Sequence, residues 1–388
     1  MSNEEAYEKA KKILYECSTK HGFIAAKKQK KGNYNRIWAR DSMICSISAF
    51  MSDDPKLIGT AKQSLVTLIK NQHEQGEIPS NVDPLKNKVS FGGTSGRVDA
   101  QLWFLIGFGQ YVKKTNDRTF AKAHFKQFEK TIQLVRIYEF NHKSLIYVPQ
   151  SGDWADEYIQ EGYVLYDQLL YYQAFCEYAY LQELLKKPYT QTKEKIKRIK
   201  ETIRINYWPI KKNLTKAFHR NLYAQYTNSK RPYLLPFFHP GHYGLHFDLF
   251  ANSLAMLLHI TTPFQKKRII KFVTESFELP PCFAPTITKR NPLYKKLEVN
   301  YGHTFRNYPH QYHNGGIWPM ILGFYVSASP NKKLLNKLVS LVKQNNWEYN
   351  EVYHGKKLIP HGTPSQAWSA AGIILAYETQ KNKKKVFL

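Results

Sequence analysis

The sequence lacks the features that would assign it to several common protein classes. Its 388 residues contain only four cysteines, which are widely scattered and show no paired spacing for a metal or redox site. No apolar run reaches the roughly 20 residues of a membrane span, and the amino terminus has neither the basic start nor the apolar stretch of a signal peptide. No phosphate loop, dinucleotide fingerprint or nucleophile elbow occurs. These absences predict a soluble protein of the reducing cytoplasm.

Acidic residues are also scarce. The sequence has 30 Asp and Glu but 57 Lys and Arg, which gives a net charge of +27. Such an excess can indicate a polyanionic partner. The basic residues are spread along the chain, however, as in Lys186–Lys200 and Lys381–Lys385, and no nucleic-acid-binding motif accompanies them. We therefore predict neither a nucleic-acid nor a membrane partner. An anion-binding scaffold is the alternative, and the oligomeric state is left open.

Helical periodicity is what the sequence has in abundance. Every second predicted helix is apolar nearly all round, as in residues 101–108 and 316–324, and such a helix must be buried on most sides. The others carry one apolar stripe. The twelve predicted helices cover 3–18, 41–52, 55–73, 97–113, 117–139, 163–187, 191–207, 245–260, 264–277, 314–328, 331–345 and 365–380.

Alternating buried and half-buried helices predict two concentric layers, six inner and six outer. This is an (α/α)6 barrel, here predicted as one domain over residues 1–388; an α-solenoid of six helical hairpins is the alternative. Short β elements are expected only in the rim loops. Residues 141–150 have the pattern of a short strand or hairpin arm, and residues 278–312 form a long irregular connection.

Six loops dense in Trp, Asp, His and Gly lead towards the predicted inner helices, at 34–41, 92–99, 151–157, 239–244, 308–316 and 361–366. The barrel topology places all six at one end, so their side chains would converge on one funnel. Aromatic rings and carboxylates in one place are typical of a sugar site. Cleavage of a glycosidic bond usually needs two carboxyl groups on opposite sides of that bond.

The first carboxyl group is predicted to be Asp156, just before an inner helix. A carboxyl beside Trp154 in a semi-apolar pocket should stay protonated near neutral pH and could donate a proton. Asp153 is the alternative donor, or else a helix cap or a hydroxyl ligand. The second carboxylate should come from residues 347–355, where the pattern alone does not separate Glu351 from Glu348.

Asp41 and Asp99 stand at the first positions of inner helices, where capping alone would explain a carboxylate. Capping does not explain Trp38 and Arg40 beside Asp41, which favour a site for sugar hydroxyls.

His310 and His313 raise the question of a metal site. They lie on a loop with no convincing third ligand nearby, so we predict no metal there. Hydrogen bonds to sugar hydroxyls or to a catalytic carboxylate are the preferred interpretation.

Several motifs resemble those of the (α/α)6-barrel glycoside hydrolases, which include glucoamylases, the amylo-α-1,6-glucosidase part of glycogen-debranching enzymes, and neutral invertases. Asp156 is similar in position to the last Asp of the invertase Gly-Asp-Trp-Met-Asp, which implies the general acid. Glu351 is similar to the base of the invertase Glu-Tyr-Tyr-Asp-Gly-Lys, which places it ahead of Glu348. The matching motifs lie at 38–41, 98–104, 152–156, 312–319, 351–356 and 363–370.

The departures from these families bear on the substrate. Thr363 stands where neutral invertases carry an Arg, and the glucanotransferase module of debranching enzymes is missing. We therefore predict an inverting exo-glycoside hydrolase that cleaves an α-glucosidic bond in an α-glucan, an oligosaccharide or a small α-glucoside. A sucrose-cleaving neutral invertase and a non-catalytic carbohydrate-binding barrel are the alternatives. No cofactor is expected, because side chains can make both proton transfers.

The resemblance and the loop positions together indicate a set of sugar-binding residues. These are Trp38, Arg40, Asp41, Asn81, Arg97, Asp99, Asp153, Trp154, His310, His313, Trp318 and Gln366.

Overall fold

A computed structural model describes residues 3–27, 32–229, 231–278, 280–299 and 305–388. All twelve predicted helices are present. Within these ranges, two additional short helices, Arg220–Tyr226 and Leu293–Val299, and a 3-10 helix at Lys211–Lys216 lie in long connections where the sequence shows no amphipathic stripe. The α-helices are α1 (Asn3–Cys17), α2 (Ala39–Ser52), α3 (Pro55–Lys70), α4 (Val98–Thr115), α5 (Arg118–Ile137), α6 (Leu165–Leu184), α7 (Thr190–Asn206), α8 (Arg220–Tyr226), α9 (Leu249–Leu257), α10 (Pro263–Ser276), α11 (Leu293–Val299), α12 (Pro319–Ala328), α13 (Lys332–Trp347) and α14 (Ala367–Asn382).

Six of these helices form a closed ring. In order round the ring, α2, α4, α6, α9, α12 and α14 each contact the next, and α14 contacts α2 again. Helices α1, α3, α5, α7 and α13 pack on the outside of ring helices. Closure between α14 and α2 confirms the (α/α)6 barrel and excludes the open solenoid. Among the described residues, no helix combines the length and the apolar character needed to span a membrane.

The two layers follow from the distribution of apolar residues. In the inner helix α4, all fifteen residues from 98 to 112 are buried, so the helix has no solvated face. The outer helix α5 buries one stripe with spacings of three and four, which includes Ala121, Phe125, Phe128 and Ile132. The apolar pattern of each helix thus determines the layer that it occupies.

The two ends of the barrel differ in the length of their loops. Connections from an inner helix to the next outer helix are short, such as Asp53–Asp54 between α2 and α3. The ten strands of the described chain lie instead in segments that lead from an outer helix to the next inner helix. They are β1 (Ser18–Thr19), β2 (Gly22–Phe23), β3 (Ile37–Trp38), β4 (Asn81–Asp83), β5 (Lys88–Ser90), β6 (Tyr163–Val164), β7 (Phe237–His239), β8 (His242–Tyr243), β9 (Val352–Tyr353) and β10 (Pro360–His361).

Three details of the rim differ from the sequence-based expectations. Residues 141–150 form no strand, and the predicted short strand or hairpin arm is reduced to one antiparallel bridge, in which Val148 and Gly162 exchange two backbone hydrogen bonds. Helix α12 begins at Pro319 and not at residue 314, because Ile317 pairs with Tyr353 and proline suits the first turn of a helix. The connection 278–312 contains α11, and its residues 279 and 300–304 lie outside the described part of the chain.

Helices α12 and α14 approach each other closely at two glycines. A Cβ atom at Gly323 would lie 2.3 Å from the carbonyl oxygen of Gly372, and one at Gly372 would lie 2.5 Å from the carbonyl oxygen of Pro319. These obstacles are backbone atoms, which cannot rotate away. This contact therefore needs glycine on both helices.

We predict that Gly323→Ala lowers the free energy of unfolding by about 1–3 kcal/mol or more, because the added methyl group overpacks the contact between α12 and α14. Gly59→Ala on the exposed face of α3 is the matched control, since a Cβ there meets nothing within 4 Å. That control should be neutral or stabilising by up to about 1 kcal/mol. Urea unfolding of both variants provides the measurement, and equal stability of the two would contradict the close packing.

Candidate active site

Glu351 lies immediately before β9 and is held by two loops. Its side chain is buried, with one oxygen accepting a 2.8 Å hydrogen bond from the Tyr34 hydroxyl and the other a 3.2 Å bond from the Thr363 amide. Burial raises the pKa of Glu351, whereas the Tyr34 bond and the positive charge of Arg306 oppose that rise. The negative charge of Asp156 raises this pKa further, so the two carboxyl groups interact electrostatically.

Asp156 lies in a turn nine residues before α6 begins at Leu165. Its carboxylate accepts a 2.6 Å bond from Arg97 Nη2, and about a third of the side chain (32%) remains exposed. The expectation that the Asp156 carboxyl group lies in semi-apolar surroundings is therefore wrong. Trp154 is buried beneath this turn, and the carboxylate contacts an arginine instead.

A buried ion network lies at the start of α2 and α4. Arg40 Nη1 is 3.1 Å from Asp99 Oδ2, and Arg40 Nη2 is 3.4 Å from Asp41 Oδ2. The guanidinium carbon also lies 5.4 Å from the ring centre of Trp368. Burial raises the pKa of Asp41 to about 6; Arg40 opposes this shift, and the charges of Glu351 and Asp99 add to it.

The two aspartates of this network do not cap their helices. The N-cap positions of α2 and α4 are Trp38 and Arg97, and neither makes a side-chain cap. Asp41 Oδ2 and Asp99 Oδ1 are buried and make no hydrogen bond among the described residues. Their remaining hydrogen-bonding capacity can therefore serve a ligand.

Aromatic rings form a packed layer under the ion network. His313 and Trp318 are stacked, with ring centres 5.3 Å apart, and Trp154 stands perpendicular to both. All three are at most 2% exposed, so they act chiefly as packing. Both ring nitrogens of His313 lack a hydrogen-bond partner among the described residues, and burial lowers its pKa well below the usual value. This imidazole is therefore neutral.

Two predicted sugar-binding residues, Asn81 and Trp38, form hydrogen bonds within the protein. Asn81 accepts a 3.0 Å bond from Arg36 Nη1, and Trp38 Nε1 donates to the carbonyl of Asn33 at 3.0 Å. These bonds join β3, β4 and the loop before them. The polar atoms predicted to bind sugar hydroxyls, Asn81 Oδ1 and Trp38 Nε1, thus connect segments of the rim instead.

Gln366 likewise has partners within the protein. It is wholly buried at the start of α14. Its amide nitrogen donates a hydrogen bond to the Ala25 carbonyl, and its amide oxygen accepts one from Trp368 Nε1. Gln366 therefore links the last rim loop to the first.

Asp153 and His310 also have structural partners. Asp153 is buried and accepts bonds from the Ala155 amide at 2.8 Å and from Gln160 at 2.7 Å. Burial raises its pKa to about 7. His310 Nδ1 lies 2.9 Å from Thr286 Oγ1. Within the described ranges, no three His, Cys, Asp or Glu side chains are grouped so as to hold a metal ion.

The sequence interpretation missed four residues around Glu351. Arg306 forms an ion pair with Glu157, and its guanidinium lies 3.9 Å from the ring centre of Tyr312. Tyr34, which bonds to Glu351, is the fourth. Tyr34, Glu157 and Tyr312 belong to loops already identified as rich in functional residue types, whereas Arg306 lies in the irregular connection, where no motif marks it.

Comparison with known sequences gives distant relatives. The chain is 21% identical over an alignment of 441 residues to the probable chloroplastic alkaline/neutral invertase A of Arabidopsis thaliana, covering 95% of this chain and 68% of the relative. It is 23% identical over 344 residues to the mitochondrial alkaline/neutral invertase C of the same plant, covering 77% of this chain and 51% of that protein.

Solved structures show the same fold at low identity. A bacterial glucoamylase complexed with acarbose matches with a TM-score of 0.68 at 14% identity, covering 99% of this chain and 56% of that one. The GH63 mannosylglycerate hydrolase from Thermus thermophilus, in complex with Tris, matches with a TM-score of 0.64 at 11% identity, covering 95% of this chain and 99% of that one.

A family match covers most of the chain. Residues 31–375 match the amylo-alpha-1,6-glucosidase family, and this stretch includes every candidate site residue described above. The match begins before α2 and ends within α14, so it includes five complete inner helices and the first nine residues of the sixth. The chain therefore belongs to the amylo-alpha-1,6-glucosidase family of (α/α)6-barrel glycoside hydrolases.

Proposed function

We propose that this chain is an inverting exo-glycoside hydrolase that cleaves α-glucosidic bonds, with residues 1–388 acting as one catalytic domain. Asp156 would donate a proton to the departing oxygen, and Glu351 would deprotonate the attacking water. The observation that carries the proposal is the placement of the two carboxyl groups on different rim loops, with Glu351 buried and hydrogen-bonded to Tyr34 and the Thr363 amide and Asp156 partly exposed beside Arg97. We expect their separation to lie in the inverting range of roughly 6.5–9.5 Å.

The surroundings of Glu351 suit a general base. A base must be ionised before it takes a proton, and burial alone would oppose this. The Tyr34 hydroxyl, the Thr363 amide and the charge of Arg306 each favour the carboxylate. Glu348, the alternative base, instead accepts a 3.0 Å hydrogen bond from Ser365.

The surroundings of Asp156 suit an acid that is exposed to substrate. Arg97 contacts Oδ2, which leaves Oδ1 to carry the proton towards the glycosidic oxygen. The ion pair with Arg97 favours the ionised carboxylate, so Asp156 would take up a proton from solvent as the bound substrate weakens this pair, and would then donate that proton to the departing oxygen. Asp153 fits the role less well, because its oxygens already accept bonds from Ala155 and Gln160.

The ion network offers a place for the terminal sugar. Asp41 Oδ2 and Asp99 Oδ1 can accept hydrogen bonds from sugar hydroxyls, and Arg40 fixes both carboxylates. Buried carboxylates that await partners bind hydroxyls more strongly than solvated ones do. These contacts would hold the sugar ring while Asp156 and Glu351 act on its bond.

Sucrose hydrolysis is the second candidate function, because both plant relatives bear the name invertase. Thr363 lies at the position where invertases carry an Arg, and here its amide bonds to Glu351. Purified protein should be tested on sucrose, maltose, isomaltose and a branched limit dextrin. Release of glucose from maltose, isomaltose or the limit dextrin supports the proposal. Hydrolysis of sucrose and of no other substrate in this set would establish the invertase.

We predict that Asp156→Asn and Glu351→Gln each lower kcat by about 10²–10⁴-fold on the substrate that is turned over, because each removes one proton-transfer group. Glu348→Gln is the matched control and should leave kcat nearly unchanged. Steady-state kinetics at neutral pH provide the measurement. Undiminished turnover in either variant would remove that residue from the mechanism.

We predict that Tyr34→Phe moves the acidic limb of the kcat/KM profile to higher pH. The Tyr34 hydroxyl lowers the pKa of Glu351, so its loss raises that pKa, and the base becomes ionised only at higher pH. Kinetics across the pH range test this in both proteins. A lower rate with an unmoved acidic limb would show that Tyr34 does not act through Glu351.

A further inference from the structure

A cavity opens at the end of the barrel that carries the long rim loops. Its volume is about 1270 Å³, above the roughly 300–1,000 Å³ of ordinary ligand pockets, and neither Asp156 nor Glu351 lines it. Most of its lining residues lie within 159–161, 231–247 and 285–299, and Gln150, Ser229 and Phe272 complete the described lining. The loop that carries Asp156 thus continues into the wall of this cavity, and the two sites are neighbours.

Three polar atoms of residues that line the cavity lack a hydrogen-bond partner among the described residues. Gln160 is 3% exposed, and its amide nitrogen donates to Asp153, but its Oε1 has no hydrogen bond. His246 Nε2 and Arg231 Nε are likewise buried and unbonded. A buried polar atom without a partner destabilises the folded protein. A ligand with hydroxyl groups could satisfy all three.

The charges of the lining are predominantly positive. Arg231, Lys295 and Lys296 line the cavity, with Glu161 as the only acidic residue among the described lining. None of these three cations forms an ion pair within the described part of the chain. Aromatic side chains complete the walls and, Phe272 apart, are at most 4% exposed, so they support the cavity as packing. They are Tyr233, Phe237, Tyr243, Phe247 and Phe272.

We propose that this cavity is a binding site for a sugar that carries an anionic group, either a phosphate ester or a carboxylate. The anionic group would pair with Arg231, Lys295 and Lys296, and the hydroxyls would bond to Gln160 and His246. An apolar ligand would leave Gln160 Oε1 unpaired, and inorganic phosphate alone would fill little of the volume. The proposal goes beyond hydrolysis and does not depend on it.

Isothermal titration calorimetry on the full chain tests this, with glucose 6-phosphate, glucuronate, glucose and inorganic phosphate as probes. We expect one or both charged sugars to bind at least about tenfold more tightly than glucose or phosphate, and their relative affinities identify the anionic group. Arg231→Met and the double variant Lys295→Gln/Lys296→Gln should each weaken that binding about tenfold or more.

Two controls separate this site from the catalytic one. The double variant Lys332→Gln/Lys333→Gln removes the same charge from exposed positions on α13 and should bind like the parent protein. Glu351→Gln should also keep full binding, even if no glycoside is hydrolysed. The proposal is overturned if glucose, glucose 6-phosphate and glucuronate bind with equal affinity. It is also overturned if Arg231→Met leaves binding unchanged, or if Glu351→Gln abolishes it.

Discussion

The hydrogen bond between Tyr34 and Glu351 depends on closure of the inner ring. The two residues are 317 positions apart, in the first and the last rim loops, and they meet because α14 packs against α2. The same closure requires the glycine contact between α12 and α14. The geometry around the candidate base is therefore a property of the whole barrel and not of one loop.

The site concentrates buried charge at the start of the inner helices. Arg40 holds Asp41 and Asp99 together, yet each aspartate keeps an oxygen without a hydrogen bond among the described residues. Leaving such groups unsatisfied lowers the stability of the folded protein, and hydroxyl groups of a bound ligand would offset that cost. A barrel optimised for stability alone would not place three charges there.

Much of the fold could be predicted from the sequence, because the burial of a helix is reflected in its local periodicity. The alternation of α4, which is apolar on all sides, with α5, which has one apolar stripe, predicts two layers from the sequence alone. Contacts through space could not be predicted in the same way. Gln366 is used for bonding between rim segments, and Arg306 reaches Tyr312 from an irregular segment without a motif.

The first-formed anomer of the product tests the central claim most directly. Proton NMR can follow the anomeric signals of glucose during the first minutes of hydrolysis of an α-glucoside, before mutarotation mixes them. Water activated by Glu351 on the face opposite Asp156 should give β-glucose first. Initial release of α-glucose would mean retention through a covalent intermediate and would contradict the proposed roles of the two carboxyl groups.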